Sequence, residues 1–383
     1  MYHPRFVDRS AKMGKEEFIK AGYVYFGYIS PELSSEDEYP DYIKENVDRA
    51  IEKIKGHQTK DSISFAFMTD IHYSVSENHI IRTKRLMNAY KQIKNECGIR
   101  NLILGGDYVN DGTKEYKINN YRGLREFLNN ENYFPVNGNH DDNSIWDSCI
   151  ESEKSTHHLT SNELYDEFFN HIPSIEEPGK LYYFCDDDRK KLRYVFLDSN
   201  DIPCVLSEKG KLKYTKQNVF AMSQEQIDWL CNKALKFDEE GWDIVFVAHA
   251  FPKWDIEARN KDVEVKRLEP LADILDSYKK GGSLFKDYFD DEFKICVNVD
   301  FSGYKRGNIL ACVAGHYHAD FEEYSNEGVP VIYTGNVIMY KYAVPRIDGD
   351  KSELLFDIVT IDREKRTIYT TRIGAGKDRT IKY

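Results

Sequence analysis

The stretch Val136-Asn137-Gly138-Asn139-His140-Asp141 carries the strongest structural signal in the sequence. It closes a short apolar run that begins at Tyr133, and its Gly-Asn pair predicts a tight turn after a strand. The turn presents an amide, an imidazole and a carboxylate in succession. An amide oxygen can bind a divalent metal ion, and the imidazole beside it can donate a proton. Taken alone, the stretch is equally compatible with a solvated turn.

Four further polar clusters each follow an apolar run typical of a buried strand. They are Asp70-Ile71-His72 after residues 62–69, Gly105-Gly106-Asp107 after 101–104, His249 after 243–248, and Gly315-His316-Tyr317-His318 after 309–314. Helical patterns at 80–97 and 114–128 separate the first three strands of the series. This alternation predicts a βαβ-type sheet with right-handed crossovers, whose ligand groups gather beyond the carboxyl ends of the strands.

The strand pattern leads to two more expectations. Period-two alternation at a strand end predicts that Asp70 and His72 point in the same direction. Three strand candidates in the tail are expected to form a second sheet that completes the fold: residues 329–334, 354–361 and 367–373.

The composition is that of a folded globular protein. With 383 residues, 41% hydrophobic and 14% aromatic, the chain can bury one large core or two moderate ones. Its formal charge of −12, from 65 acidic and 53 basic residues, provides no electrostatic footprint for nucleic acid or an anionic membrane. A polyanionic substrate would therefore need local positive charge, most simply from metal ions.

The seven cysteines predict reduced thiols. They are odd in number, widely scattered and never spaced as CxxC, which argues against a disulfide framework or a zinc knuckle. The N-terminal stretch Met1-Tyr2-His3-Pro4-Arg5-Phe6 lacks the apolar core of a signal peptide, and residues 21–31 are too short and too polar a run to span a membrane. We expect a cytoplasmic protein without a membrane partner.

The chain is expected to divide near residue 60. We predict that residues 1–60 form an N-terminal appendage and that residues 61–383 form the main body. An apolar stripe at helical spacing would dock the appendage on the main body. The stripe consists of Ile43, Val47, Ile51 and Ile54.

We predict that two ranges of the main body are inserts near the active site. Residues 142–180 lack clean periodicity, and residues 250–308 are long enough to shape a substrate entrance. His157 and His158, in the first range, are either solvated or line a substrate cleft.

The strand ends supply seven candidate metal ligands: Asp70, His72, Asp107, Asn139, His249, His316 and His318. Mixed carboxylate, amide and imidazole ligands suit a transition ion such as Mn, Fe, Zn or Co, rather than a thiolate zinc site or an all-oxygen calcium site. Seven ligands are too many for one tetrahedral ion. They divide into two sets of four if one carboxylate is shared, which predicts two ions about 3.5–4 Å apart, the spacing of hydrolytic two-metal sites.

Five motifs in a fixed order at strand ends resemble the calcineurin-like metallophosphoesterase superfamily. They are DxH from Asp70, GDxxNxG around Asp107, GNHD around Asn139, the strand-terminal His249, and GHxH from Gly315. The resemblance spans residues 70–318. It implies an α/β fold, a four-layer αββα sandwich in which two mixed sheets are flanked by helices, with inserted rim or cap segments.

The resemblance also implies roles for the site residues. Asp107 would bridge the two ions, and His140 would bind no metal but act as a transition-state stabiliser or leaving-group acid. Which carboxylate orients His140 stays open among Asp141, Asp142 and Asp111. The remaining implied ligands are Asp70, His72 and His318 for one ion, and Asn139, His249 and His316 for the other.

Departures from two branches of the superfamily narrow the expected activity. Asn110, Asp111 and Asp141 stand where the protein serine/threonine phosphatases have a carboxylate, an arginine and a glutamate, so protein phosphatase activity is disfavoured. Asn110 also replaces the tyrosine of the purple acid phosphatases, so a ferric-tyrosinate centre is not expected. GNHD combined with GHxH is similar to the bacterial phosphodiesterase group.

The implied function is metal-dependent hydrolysis of a small-molecule phosphoester by a water that two metal ions activate, with phosphodiesters slightly favoured. One alternative is a phosphomonoesterase of the same fold. Another is a binding module that keeps the fold without chemistry, although the presence of His140 counts against it. A nuclease is disfavoured because the chain is acidic and lacks a basic face interleaved with aromatic residues. The native metal pair and the oligomeric state stay open.

Overall fold

Six strands from both ends of the described chain form the first sheet. They are β1 (Ile63–Met68), β2 (Leu102–Leu104), β3 (Tyr133–Pro135), β12 (Leu355–Asp362), β13 (Thr367–Gly374) and β14 (Arg379–Lys382). The computed structural model describes residues 40–150, 154–217, 219–255, 257, 264–338, 346–347 and 349–383. In it the strand order is β14-β13-β12-β1-β2-β3, parallel from β1 to β3 and antiparallel elsewhere.

The second sheet is also mixed. Its strands are β4 (Tyr183–Asp187), β5 (Leu192–Phe196), β6 (Asp243–Val247), β9 (Asn308–Ala314), β10 (Phe321–Tyr324) and β11 (Pro330–Tyr333). The order is β10-β11-β9-β6-β5-β4, with four parallel central strands and an antiparallel strand at each edge. A separate hairpin pairs β7 (Ser283–Tyr288) with β8 (Ile295–Asp300).

Helices cover the outer faces of both sheets. The described helices are α1 (Asp41–His57), α2 (Glu77–Cys97), α3 (Lys114–Leu128), α4 (Ser144–Cys149), α5 (Ser161–Leu164), α6 (Gln224–Trp229) and α7 (Glu269–Lys280). Two of them continue as π-helical turns, α5 through Tyr165–Phe169 and α6 through Leu230–Ala234. None of these helices combines the length and the apolar content needed to cross a bilayer.

Strand β6 illustrates the layering, because its side chains alternate between two cores. Val245 and Val247 belong to the apolar cluster that includes the side chains of the first sheet. Ile244 and Phe246 belong to the second cluster, which contains side chains of α6 and α7. A strand buried on both faces reads as a continuous apolar run, as this one does in the sequence. The predicted four-layer sandwich is confirmed.

The predicted sheet of tail strands is wrong. β12 and β13 extend the first sheet, since β12 pairs antiparallel with β1 in the register Phe65↔Val359. β11 instead joins the second sheet beside β9, with Ile332 opposite Val313. The tail therefore contributes one strand to the second sheet and the remaining strands to the first.

The range predicted as an appendage contains α1, which buries its apolar stripe and packs on β13 and α2. Residues 1–39 lie outside the described part of the chain, and the boundary near residue 60 stays a prediction. The seven cysteines all lie in described ranges and are free thiols. The cytoplasmic location also stays a prediction.

Part of each predicted insert lies in a core. Phe168, in the first range, is fully buried, and its ring packs against Tyr108, Tyr121 and Tyr133. In the second range, α7 packs on the outer face of the second sheet. The assignment of either range as an insert stays a prediction.

Candidate metal centre

The loops at the carboxyl ends of the strands are joined by backbone hydrogen bonds. His72 N donates to Asp107 O at 2.9 Å, which links the loops after β1 and β2. Gly315 N donates to His249 O at 3.1 Å, which links the loops after β6 and β9. A β-carbon at Gly315 would lie 1.9 Å from Thr69 Oγ1, so only glycine lets the loops of the two sheets approach this closely.

Five of the predicted ligands have left-handed backbone conformations. They are Asp70 (φ 53°), His72 (φ 43°), Asp107 (φ 55°), His316 (φ 71°) and His318 (φ 54°). This conformation costs roughly 1–2 kcal/mol for a residue with a side chain, and such strain is characteristic of functional sites. Asp70 and His72 do lie together, but strand alternation is not the reason, because β1 ends at Met68.

Four side chains converge where they could hold one metal ion. One ligand atom from each of Asp70, His72, Asp107 and His318 lies within 4.8 Å of all the others. His318 Nε2 is 3.0 Å from Asp70 Oδ1, and His72 Nε2 is 3.6 Å from Asp107 Oδ2. These are the four residues that the family resemblance implies for one ion, and we call them the first group.

A second group contains the residues predicted for the other ion. Asn139 Oδ1 lies 2.9 Å from His249 Nε2 and 3.2 Å from His316 Nδ1. His249 Nε2 is also 3.4 Å from Asp107 Oδ2. Because His249 Nδ1 lies 2.7 Å from Gly105 O, Nδ1 is the hydrogen-bond donor and the lone pair of Nε2 can face a cation.

The donor chemistry of both groups fits metal ions. Asp107 Oδ2 lies close to His72 of the first group and to His249 of the second. Carboxylate oxygen, amide oxygen and, once they are deprotonated, imidazole nitrogen atoms would turn lone pairs toward a shared centre at these distances. A cation between them satisfies all of these acceptors, and this ligand mixture suits transition ions.

Acidic and imidazole side chains of the two groups shift one another's pKa values. Burial raises the pKa of Asp107, but His249 and His140 outweigh it and hold that pKa well below its usual range. Burial lowers the pKa of His249, yet Asp107 raises it to about 10. At His72 burial dominates and lowers the pKa to about 3. Metal binding must therefore displace a proton from His249.

His140 lies beside the first group, with its ring centroid 5.1 Å from that of His72. Its Nδ1 is 2.5 Å from Asp111 Oδ2. Of the three carboxylates that the sequence left open, Asp111 is therefore the one that orients His140. Lys117 Nζ in turn donates to Asp111 Oδ1 at 3.0 Å and to His140 O at 2.8 Å. Burial lowers the pKa of His140, but Asp111 and Asp107 raise it to about 9.

This geometry agrees with a comparison of the sequence with protein families. The chain matches the model of the calcineurin-like phosphoesterases over residues 63–320, more than half of its length. The chain belongs to this family. As a calcineurin-like phosphoesterase it is a hydrolase of phosphoester bonds, and the family resemblance drawn from the motifs is confirmed.

Solved structures support the fold of this phosphoesterase. A dimetal phosphatase from Danio rerio is similar with a TM-score of 0.54 and 14% identity, over 84% of this chain and 99% of that chain. An NAD nucleotidase from Haemophilus influenzae has a TM-score of 0.33 and 12% identity, over 83% of this chain and 55% of that chain. The second TM-score is too low to carry an argument. The comparison with curated proteins gives no significant match.

Asp141 of the phosphoesterase holds the loops together, whereas Asp111 is the carboxylate that contacts the His140 ring. Its carboxylate accepts hydrogen bonds from the backbone N–H groups of Asp107, Tyr108 and Gly138 at 2.7–3.0 Å, and from the Tyr121 hydroxyl at 3.0 Å. One buried side chain thereby satisfies three loop N–H groups and holds the second motif against the third.

We expect Asp141→Asn to lower the free energy of unfolding by about 2–4 kcal/mol, because the amide NH2 would face donors in a fully buried position. Urea denaturation measures this change. Asp61→Asn, in the exposed turn before β1, is the control and should change stability by less than about 0.5 kcal/mol. Equal stability of the two variants would contradict the structural role of Asp141.

Lys117 is a site residue that the sequence did not single out. It is fully buried on α3 and also donates to Val109 O at 2.9 Å, so three oxygen atoms surround its ammonium group. A detectable signal was present, because Lys117 occupies the same helical stripe as Tyr121, Leu124 and Leu128. A lone cation in an apolar stripe indicates a buried partner.

Proposed function

We propose that this phosphoesterase hydrolyses a small-molecule phosphodiester, using two transition ions of the Mn, Fe or Zn type. The observation that carries the proposal is the position of His140, held by Asp111 beside the first group of ligands. Ions bound there would supply Lewis-acid stabilisation of the phosphoryl oxygens and lower the pKa of an attacking water.

The protein side chains perform the remaining steps. Both groups position the substrate phosphate at the carboxyl ends of the strands, and no side chain is required as a nucleophile. His140 donates a proton or a hydrogen bond to the departing oxygen. Asp111 and Lys117 keep the imidazole in place by fixing Nδ1 and the backbone carbonyl, which leaves Nε2 as the atom that meets the leaving group.

The charge around the site supports a diester over a monoester. Two lysines near the third motif are already paired, Lys117 with Asp111 at 3.0 Å and Lys216 with Asp142 at 3.3 Å. A phosphomonoester carries nearly two negative charges at pH 7, because its second pKa is about 6. A diester carries one charge and needs less compensation.

The main alternative is a phosphomonoesterase of the same fold, and a binding module without chemistry is the second. Kinetics with the Mn-loaded enzyme on bis(p-nitrophenyl) phosphate and p-nitrophenyl phosphate separates the three. We expect the larger kcat/KM for the diester. A larger kcat/KM for the monoester would support the first alternative, and no turnover of either, together with normal metal content, would support the second.

Two ions per molecule are expected after reconstitution with excess Mn and desalting, since two ligand groups share Asp107. Elemental analysis against protein concentration gives the ratio. Apo-protein prepared with a chelator should lose activity and regain it as the second equivalent is added. A ratio that stays at or below one would contradict the binuclear centre.

A further inference from the structure

Outside the metal centre, a carboxylate, an imidazole and a thiol lie in series. His158 Nδ1 is 3.0 Å from Asp147 Oδ2, and Cys204 Sγ is 3.9 Å from His158 Nε2. Each ring nitrogen of His158 therefore faces one of the other two side chains. A nucleophile beside a base that a third group orients is the arrangement by which proteins activate a weak nucleophile.

Asp147 is built into the fold. Its side chain is completely buried, and it accepts hydrogen bonds from Thr156 N at 3.2 Å and from His158 N at 3.1 Å. A carboxylate fixed in this way accepts a hydrogen bond from His158 Nδ1, so the other ring nitrogen, Nε2, is the one that faces the thiol.

Cys204 is exposed, so a dissolved reagent can reach it. Burial of part of the thiol and the charge of Asp142 raise the pKa of Cys204, although Lys216 lowers it. A thiol whose pKa is not below its ordinary value is mostly protonated at neutral pH. Its reaction with an electrophile needs a base at the moment of attack, which His158 provides.

We propose that Cys204 is a site of reversible thiol–disulfide exchange in which His158 is the base and Asp147 positions it. The sulfur of Cys204 attacks a low-molecular-weight disulfide, so that a new S–S bond forms as the S–S bond of the reagent breaks. The thiol proton passes to His158 Nε2 and then to the departing thiolate. Cys204 is oxidised and the departing sulfur is reduced, so the disulfide is the only oxidant required.

The site lies at the edge of the metal centre. Leu159 N, one residue after His158, donates to Asp142 O at 2.7 Å, and Asp142 is three residues beyond Asn139. A mixed disulfide at Cys204 would add bulk beside this segment. The exchange itself does not depend on hydrolysis of any phosphoester.

Two other exposed cysteines, Cys149 and Cys296, provide internal controls. Cys149 Sγ lies 3.8 Å from the Ser148 hydroxyl, and within the described residues neither thiol forms a hydrogen bond with a histidine. The full-length protein is exposed to oxidised glutathione, quenched at intervals and digested, and peptide mass spectrometry gives a rate for each cysteine. We expect Cys204 to react about 10-fold faster than either control. This factor is smaller than the usual rate gain from general base catalysis, because thiols also ionise without a base. Equal rates at the three cysteines would overturn the proposal without any variant.

His158→Gln should lower the Cys204 rate to that of the controls and leave the Cys149 and Cys296 rates unchanged. His157→Gln is the matched variant, because His157 Nδ1 accepts from Lys114 N at 3.3 Å, and it should leave the Cys204 rate as it is. A Cys204 rate that is unaffected by His158→Gln, or affected equally by both variants, would also overturn the proposal.

Asp147→Asn should slow Cys204 alone, because the ring of His158 would lose its orienting charge. A purely structural effect has a different signature, since unfolding would expose the buried thiols Cys97, Cys231 and Cys312. Slower reaction at Cys204 with unreactive buried thiols supports the positioning role. Reaction of the buried thiols, or an unchanged Cys204 rate, contradicts that role.

Discussion

Asp107→Asn is expected to empty both halves of the metal centre together and to lower kcat by about 10³-fold or more, since a metal ion contributes several kcal/mol of transition-state stabilisation. The reason is the position of one oxygen atom. Asp107 Oδ2 lies 3.6 Å from His72 Nε2 in the first group and 3.4 Å from His249 Nε2 in the second. An asparagine keeps the shape but removes the charge that both ions would share.

Asp70→Asn is the matched control, because Asp70 belongs to the first group only. Elemental analysis of both variants after Mn loading should give less than one ion for Asp107→Asn and about one for Asp70→Asn, as the shared-carboxylate geometry requires. Loss of a single ion in Asp107→Asn would show that another side chain bridges the metals.

The convergence of the ligands was predictable because the strands that carry them are easy to recognise as apolar runs in the sequence. β6 and β9 are buried on both faces, and such strands read as uninterrupted apolar runs that end abruptly at the polar motif. In a parallel sheet, these ends lie on one edge. The order of the motifs then identified the family, but it did not predict how the strands of the tail pair.

What the sequence could not supply depends on contacts distant in the chain. The alternation of residues 354–361 indicates a strand but does not identify its neighbour, and the pairing Ile63↔Ile361 joins residues almost 300 positions apart. The left-handed backbone of Asp70 and His72 has the same origin, because no local pattern favours it. Surrounding loops impose it through bonds such as His72 N to Asp107 O.

His140→Ala is expected to leave the metal content near normal and to lower kcat by about 10²–10⁴-fold, the usual contribution of a positioned general acid. The ring lies beside the first group, and its Nδ1 is engaged by Asp111 rather than directed at the ligands. Its removal should therefore affect the departing oxygen and not the ions.

The dependence on the leaving group decides between acid catalysis and other roles. An alkoxide leaving group needs the proton of His140, whereas nitrophenolate departs unaided, so the loss should be greatest for alkyl esters and least for nitrophenyl esters. Asp111→Asn retains the imidazole but removes the charged partner of Nδ1. A hydrogen bond to a charged group contributes about 1.5–3 kcal/mol, so this variant should lose about 10–100-fold with the same leaving-group trend. If His140→Ala loses a metal ion, His140 is a ligand. If it slows all leaving groups equally, His140 stabilises the phosphoryl oxygens instead.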